Sequence, residues 1–283
     1  MWRVGVIGDP VAHSRSPQMQ QAAFDAWHIA ARYERWPTTL AELPDRIASL
    51  RASEILGANV TIPHKLAVMP LLDELEPEAT LIGAVNTIVA RQGRLIGTNT
   101  DAEGLALALR EIGWDHLEQG LILGAGGAAR AAIVALHRLG AHTVCVLARN
   151  TVAAQGLVET LAPQVLGTAL LWGPLGGTER AVWQRMLAGM DIIINATPVG
   201  MAATPAMPMS AEQLDLIRAG TLLLDLVTRD TPWLAAARSR ELPAINGLPM
   251  LLHQGALAFT AWTGQPAPLS VMRAALHEAI PGA

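Results

Sequence analysis

An α/β protein of two domains is the architecture this chain predicts, on three observations. Strand-like apolar runs alternate with helix-like stretches from end to end, the pattern of parallel sheets with helical crossovers. Near residue 104 the character changes, and a regular βα series of about 130 residues follows, a usual domain size. The chain has 283 residues, 51% of them hydrophobic, enough to bury one large core or two modest ones. The expected division is 1–103, 104–240 and 241–283, with the last segment packing back on the first domain.

In the first domain, strands are expected at Arg3 to Ile7, Tyr33 to Pro37, Gly57 to Val60 and Thr87 to Arg91, with helices between them such as Pro17 to Trp27 and Leu40 to Ser53. Asp101-Ala-Glu-Gly104 then opens a helix from Leu105 to Ile112. The second domain reads as strand Leu121 to Leu123, helix Ala128 to Leu139, strand Thr143 to Leu147, a helix near Val152 to Leu161, and strands Asp191 to Asn195 and Thr221 to Val227. The Met/Pro-rich stretch Met201 to Met209 reads as a loop. Two helices, Leu248 to Leu257 and Leu269 to Ala279, end the chain with no strand between them and are too short to fold alone.

Composition excludes several function classes. No apolar run approaches bilayer-crossing length, and the first residues become a strand without a small-residue cleavage site, so a soluble, cytoplasmic protein is expected. The single cysteine, Cys145, rules out an intrachain disulfide and a cysteine-based metal cluster, and its apolar neighbours give it a packing role. Eight histidines show no H-E-x-x-H spacing, so no metal is expected. A net charge of −4 with scattered arginines argues against nucleic acid as a partner.

Gly120-Leu-Ile-Leu-Gly-Ala-Gly-Gly-Ala-Ala-Arg-Ala131 places a short apolar strand before G-x-G-x-x-A and a long helix after it. Gly124 allows the tight turn, Gly126 lets a pyrophosphate approach the backbone, and Ala129 lets helix and strand pack closely, while the helix N-terminus supplies unpaired N–H groups. An ordinary glycine-rich βα turn is the competing reading, and the strand and helix on either side favour a dinucleotide. An NAD site would place a carboxylate about twenty residues on, at the end of the next strand. Here that strand ends Leu147-Ala-Arg149-Asn150, and an arginine suits the 2′-phosphate of NADP, if it is not simply an exposed strand-end residue.

Of twenty basic residues, nineteen are arginines and one, Lys65, is a lysine. Guanidinium carries charge but gives up no proton at accessible pH, whereas an amine does. Compositional bias explains the count as well as acid–base chemistry, so the neighbourhood decides. Four segments surround the question: Gly8-Asp-Pro-Val-Ala-His-Ser-Arg-Ser-Pro17, Asn59-Val-Thr-Ile-Pro-His-Lys65, Gly83-Ala-Val-Asn-Thr87 and Thr98-Asn-Thr-Asp-Ala102. Each is a polar turn at the end of an apolar run, where α/β folds gather ligand-contacting side chains.

Together with the glycine motif and Leu252-His-Gln-Gly255, these segments resemble the shikimate dehydrogenase family, in order and over essentially the whole chain. The resemblance implies reversible oxidation of shikimate to 3-dehydroshikimate at a ring hydroxyl with hydride passing to NADP, in chorismate and aromatic amino acid biosynthesis. It implies a substrate domain formed by 1–103 with 241–283, and a Rossmann-type NADP domain in 104–240. Carried over by position, Ser14 and Ser16 donate hydrogen bonds to the substrate carboxylate, and Thr61, Asn86 and Gln254 hold ring hydroxyls. Lys65 and Asp101 form the catalytic pair. Gly124, Ala125, Gly126, Gly127, Ala128, Ala129, Arg149, Asn150, Thr197, Leu226 and Gly247 meet the cofactor. The chemistry makes its own sense of the pair, because nicotinamide cannot accept the O–H proton that must leave as the carbonyl forms. Each polar residue also has a plainer reading: Ser14 and Ser16 as caps of a helix beginning at Pro17, Asn86 as a turn residue, Asp101 as an N-cap before Leu105.

Two positions depart from the family pattern. Where the family carries D-x-x-Y-x-P, with the tyrosine beside the substrate, this chain has Asp225-Leu-Val-Thr228-Arg-Asp230, so Thr228 brings only a short hydroxyl to the substrate site. Beyond Arg149, where relatives often carry a further basic residue, stand Val152, Ala153 and Ala154, so some use of NAD is expected beside NADP. The alternatives are a quinate/shikimate dehydrogenase of mixed cofactor use and a catalytically weak NADP-binding regulatory paralogue. The partner expected is a small hydroxylated ring carboxylate, bound by a monomer or homodimer without membrane or nucleic acid.

Overall fold

The computed structural model describes residues 1–174, 180–201 and 206–278. The chain forms two compact units, one of Met1–Gly104 with Leu251–Ala283 and one of Leu105–Met250. In chain order the first unit contains β1 (Trp2–Gly8), α1 (Ser16–Ala26), β2 (Ala31–Pro37), α2 (Leu43–Ser49), β3 (Ile55–Val60), β4 (Glu74–Leu75), α3 (Pro77–Ile82), β5 (Thr87–Arg91) and β6 (Arg94–Thr98). The unit boundary falls within α4 (Asp101–Glu111). The second unit follows with β7 (Gln119–Leu123), α5 (Gly127–Arg138), β8 (Thr143–Ala148), α6 (Thr151–Leu161), β9 (Ala169–Pro174), α7 (Arg180–Leu187), β10 (Ile192–Asn195), α8 (Ala211–Leu214), β11 (Leu222–Asp225), α9 (Pro232–Arg238) and β12 (Ala244–Ile245). The helices α10 (Leu248–Thr263) and α11 (Leu269–Glu278) close the chain.

The first sheet has the order β2-β1-β3-β5-β6-β4. Its β1, β2 and β3 are parallel, as the alternating pattern predicts, but β5 is antiparallel to both β3 and β6, so the sheet is mixed rather than parallel. The cause is a two-residue hairpin: Gln92 and Gly93 both take positive φ, 53° and 77°, which matches the twist of the flanking strands. Ile7, Trp36, Ile47, Leu50, Val60, Val85, Ile88 and Leu95 share the core of this unit. The chain end is tied to it by Phe24 against Phe259 at 5.3 Å between centroids, and by Trp262 Nε1 donating to the Ile88 carbonyl at 2.9 Å.

In the second sheet, β12-β11-β10-β7-β8-β9, all neighbours are parallel. Counted from β7, this is the 3-2-1-4-5-6 order of a doubly wound nucleotide-binding fold, with its switch point between β7 and β10. Central strands buried on both faces read as unbroken apolar runs, and Leu121–Leu123, Ile192–Ile194 and Leu222–Leu224 are all buried. Cys145 packs in this core, its thiol pushed up to about 11 by burial.

Three expectations need correction. The second unit runs past the boundary at 240 to Met250, because Ala244 and Ile245 pair with Leu223 and Leu224 and add an edge strand. Helix α4 starts at Asp101 instead of Leu105, because Asn99 Oδ1 accepts the Asp101 N–H at 2.9 Å and holds the first turn. Strands β4, β6, β9 and β12 escape the sequence pattern, two of them having only two residues and β9 being a largely exposed edge. Of the expected loop Met201 to Met209, 202–205 lie outside the described residues, as does Ala279, the expected end of the last helix. Among the described residues, no helix is long and apolar enough to cross a membrane.

Candidate active site

Strand direction brings the four polar turns of the first unit to one sheet edge. Ile7 at the end of β1 lies beside Val60 at the end of parallel β3. Asn59 faces Thr87, the first residue of antiparallel β5, and Thr87 faces Thr98, the last of β6. The ends of β1, β3 and β6, which run the same way, and the start of the reversed strand β5 therefore deliver segments 8–17, 59–65, 83–87 and 98–102 to the same side of the sheet.

At that edge Lys65 Nζ lies 2.5 Å from Asp101 Oδ2, with side chains 16% and 5% exposed. So little exposure screens the pair weakly, and the carboxylate is held from its other side by Asn86 Nδ2 at 2.7 Å from Oδ1. Asn86 is itself fixed: its Oδ1 accepts from the Thr100 N–H at 2.8 Å and the Thr87 hydroxyl at 2.9 Å, and its Nδ2 also faces Thr100 Oγ1 at 2.9 Å and Gln254 Oε1 at 3.3 Å. Gln254 reaches this cluster from α10 because Gly104, on α4, has no side chain there: a Cβ would stand 2.7 Å from the Gln254 backbone N. The structure thus brings Lys65, Asp101, Asn86 and Gln254 into one hydrogen-bonded group. Asp101 stands in the first turn of α4 with its carboxylate spent on Lys65 and Asn86, so it is not the N-cap.

The remaining substrate candidates are placed differently. Helix α1 begins at Ser16 with Arg15 as N-cap and no side-chain cap bond, while Ser14 Oγ accepts the Ser16 N–H at 3.3 Å. Thr61 fixes its turn through backbone bonds, accepting from the His64 N–H at 2.9 Å, and its hydroxyl makes no hydrogen bond among the described residues. Thr228 lies in the second unit, half-buried after β11, and not in the Lys65 group. Sequence reasoning missed the residues that brace the edge. The buried Tyr33 hydroxyl donates to Asn59 Oδ1 at 2.7 Å, and Asn59 Nδ2 donates to Thr87 Oγ1 at 3.2 Å. Burial pushes the Tyr33 phenol up, with the Ser16 hydroxyl acting in the opposite direction. Asn59 and Thr87 are marked by being polar residues that adjoin apolar runs, whereas Tyr33 lies inside β2 and carries no such mark.

In the second unit the glycine turn sits at the switch point. Gly124, at φ 112°, packs on the loop after β10, where a Cβ would stand 3.0 Å from the Ala196 carbonyl and 3.1 Å from Thr197 Cγ2. Gly126 differs: its φ of −90° suits any residue, and a Cβ there would meet no protein atom. No protein packing calls for a glycine at 126, which is what a backbone approached by a pyrophosphate requires. Gly127, Ala128 and Ala129 form the first turn of α5, whose N-terminus has no side-chain cap. The donor set fits a dinucleotide phosphate. Gly126→Ala is therefore expected to leave thermal stability within about 1 kcal/mol of the parent and to weaken NADPH about tenfold or more, as read by titration of cofactor fluorescence.

Other cofactor candidates carry internal duties. Asn150 Oδ1 caps α6 by accepting from the Ala153 N–H at 3.1 Å, and Arg149 is exposed beside it. The Thr197 hydroxyl donates to Asn195 Oδ1 at 2.6 Å. Gly247 is a glycine because the Leu226 carbonyl lies where its Cβ would stand. Ala125 occupies the glycine turn, half-buried.

Comparison with known proteins agrees over the whole chain. A family model described as the shikimate dehydrogenase substrate binding domain matches residues 6–88, and one described as the shikimate 5'-dehydrogenase C-terminal domain matches 247–277. A shikimate dehydrogenase (NADP(+)) of Geobacter sp. (strain M21) is 43% identical over 276 residues, covering 96% of this chain and 93% of that protein. One of Symbiobacterium thermophilum is 42% identical, covering 99% and 95%. The crystal structure of shikimate 5-dehydrogenase from Thermus thermophilus, in complex with NADP(H) and shikimate, superposes with a TM-score of 0.85 at 38% identity, covering 99% of this chain and 100% of that one.

Proposed function

This chain belongs to the shikimate dehydrogenase family, and from that premise we propose that it interconverts shikimate and 3-dehydroshikimate as an NADP-dependent oxidoreductase of aromatic amino acid biosynthesis. The observation that carries the reading is the shielded Lys65–Asp101 pair at the edge where four polar turns meet. NADP, when bound, accepts the hydride from the ring carbon in one direction and returns it in the other. Ser14 and Ser16 donate hydroxyl hydrogens to the substrate carboxylate, and Thr61, Asn86 and Gln254 position ring hydroxyls. Lys65 cycles a proton between ammonium and amine: the amine takes the O–H proton as the carbonyl forms and passes it to water, which its 16% exposure allows. Asp101, anchored by Asn86, keeps the amine in place. Gly126 and the first turn of α5 hold the pyrophosphate, and Arg149 pairs with the 2′-phosphate. The reading makes the protein a cytoplasmic enzyme, monomer or homodimer, that handles small molecules.

Steady-state kinetics followed by reduced-nicotinamide absorbance test this, with shikimate and quinate each paired with NADP and NAD. Turnover is expected to be highest with shikimate and NADP. Turnover confined to quinate and NAD would replace the assignment, and none with any pair would leave a regulatory NADP-binding protein. Arg149→Ala is expected to raise KM for NADP about tenfold while leaving KM for NAD nearly unchanged; equal losses for both would remove Arg149 from the phosphate site.

A further inference from the structure

Strands β10 and β11 end side by side in Asn195 and Asp225, paired in register and both fully buried. A polar residue closing an Ile-Ile-Ile or Leu-Leu-Leu run costs desolvation that an apolar residue would avoid. The three donors that hold the Asp225 carboxylate are neutral. Oδ1 accepts from Asn195 Nδ2 at 2.9 Å and the Val227 N–H at 3.1 Å, and Oδ2 from the Thr231 hydroxyl at 2.8 Å. Burial accordingly pushes this carboxyl up from its ordinary value, and the three donors only partly oppose it.

What the buried pair does is tie three chain segments together. Asn195 uses every hydrogen-bonding site it has: its Oδ1 accepts from the N–H and hydroxyl of Thr197 at 3.0 and 2.6 Å, and its Nδ2 donates to Asp225 and to the Val199 carbonyl at 3.1 Å. Asp225 sets the neighbouring turn through Val227, whose carbonyl accepts from the Gly247 N–H at 2.9 Å, while the Leu226 N–H donates to the Asn195 carbonyl at 3.1 Å. Thr197, Leu226 and Gly247 are among the residues that the family resemblance puts around NADP, and Gly124 packs on the loop that carries Thr197.

We infer that Asp225 is a positioning residue for the cofactor: through Asn195 and Val227 its carboxylate holds the 195–199, 226–227 and 247 segments in the geometry that NADP meets. The inference rests on the proposed reading that these segments bind NADP.

The test compares Asp225→Ala, Asp225→Asn and Thr231→Val in the full chain, by NADPH fluorescence titration, steady-state kinetics and thermal unfolding. Asp225→Ala is expected to raise the NADPH Kd about tenfold with KM for shikimate unchanged at saturating cofactor. Asp225→Asn is expected to stay within about threefold of the parent, since its amide oxygen still accepts from Asn195 and Val227 while its nitrogen donates to Thr231. Thr231→Val removes the bond to Oδ2 and the N-cap bond that the hydroxyl accepts from the Leu234 N–H at 3.4 Å, and leaves the Asn195 and Val227 bonds to Oδ1 in place, so it is expected to lower Tm while leaving NADPH Kd unchanged. If Asp225→Ala does not fold, Asn195→Ala takes its place with the same tenfold expectation. A lower Tm with parental NADPH affinity in the alanine variant, or equal losses in Asp225→Asn and Asp225→Ala, would overturn the inference. Failure of the parent chain to bind NADPH would instead sink the functional reading beneath it.

Discussion

Lys65→Arg is expected to leave the fold and NADPH affinity in place while turnover falls by about two to four orders of magnitude, the usual scale for losing a positioned general acid or base. Charge survives the exchange, and the guanidinium can still pair with Asp101, which Asn86 holds from the other side. Proton exchange does not survive, because arginine stays protonated at any pH the enzyme tolerates. The larger head must also fit where the amine is 16% exposed and its partner 5%, so a stability loss of about 1–3 kcal/mol is expected from overpacking. The kinetic loss is far larger than that. Measuring kcat in both directions, NADPH Kd and thermal unfolding separates the effects. An arginine variant keeping more than about a tenth of parental turnover would reduce Lys65 to holding charge and orientation.

How much of this was legible depends on what each residue contrasts with. Lys65 stood out because every other cation is arginine, and the glycine turn because strand and helix flank it. The mixed character of the first sheet was harder to read. It depends on Gln92-Gly93, a two-residue turn whose hairpin signal is weaker than Asn-Gly or Asp-Gly. Strands of two residues, such as Ala244–Ile245, carry no period to detect; they exist because a neighbouring strand edge is available to pair with. Asn86 was legible as a polar residue at a turn, but not its commitment to Asp101, since which partner an amide meets is set by register between β5 and β6. Asn195 and Asp225 are legible in the sequence by position: each closes an unbroken apolar strand, where a polar side chain is costly unless something holds it.

Asn86→Ala is expected to cost about 2–4 kcal/mol of stability and to collapse kcat/KM. At 2% exposure the amide has little access to bulk water, and its loss strips the Thr100 N–H and the Thr87 hydroxyl of an acceptor and Asp101 Oδ1 of a donor. The separate penalties do not simply add, because the space vacated by an amide is polar enough for one water to serve part of the set. Asn86→Asp discriminates further. It keeps an oxygen for Thr100 and Thr87 but turns a second carboxylate towards Asp101, and two carboxylates sharing a buried site raise the pKa of one of them. A carboxyl whose folded value exceeds its unfolded value binds its proton more tightly in the folded chain. The variant's deficit should therefore be small below the ordinary aspartate range and grow as pH rises through the raised folded value. Thermal unfolding of both variants across pH measures this: the alanine deficit should be nearly flat and the aspartate deficit should climb. Parallel profiles would mean that Asn86 fills space at the sheet edge and does not hold the Asp101 carboxylate.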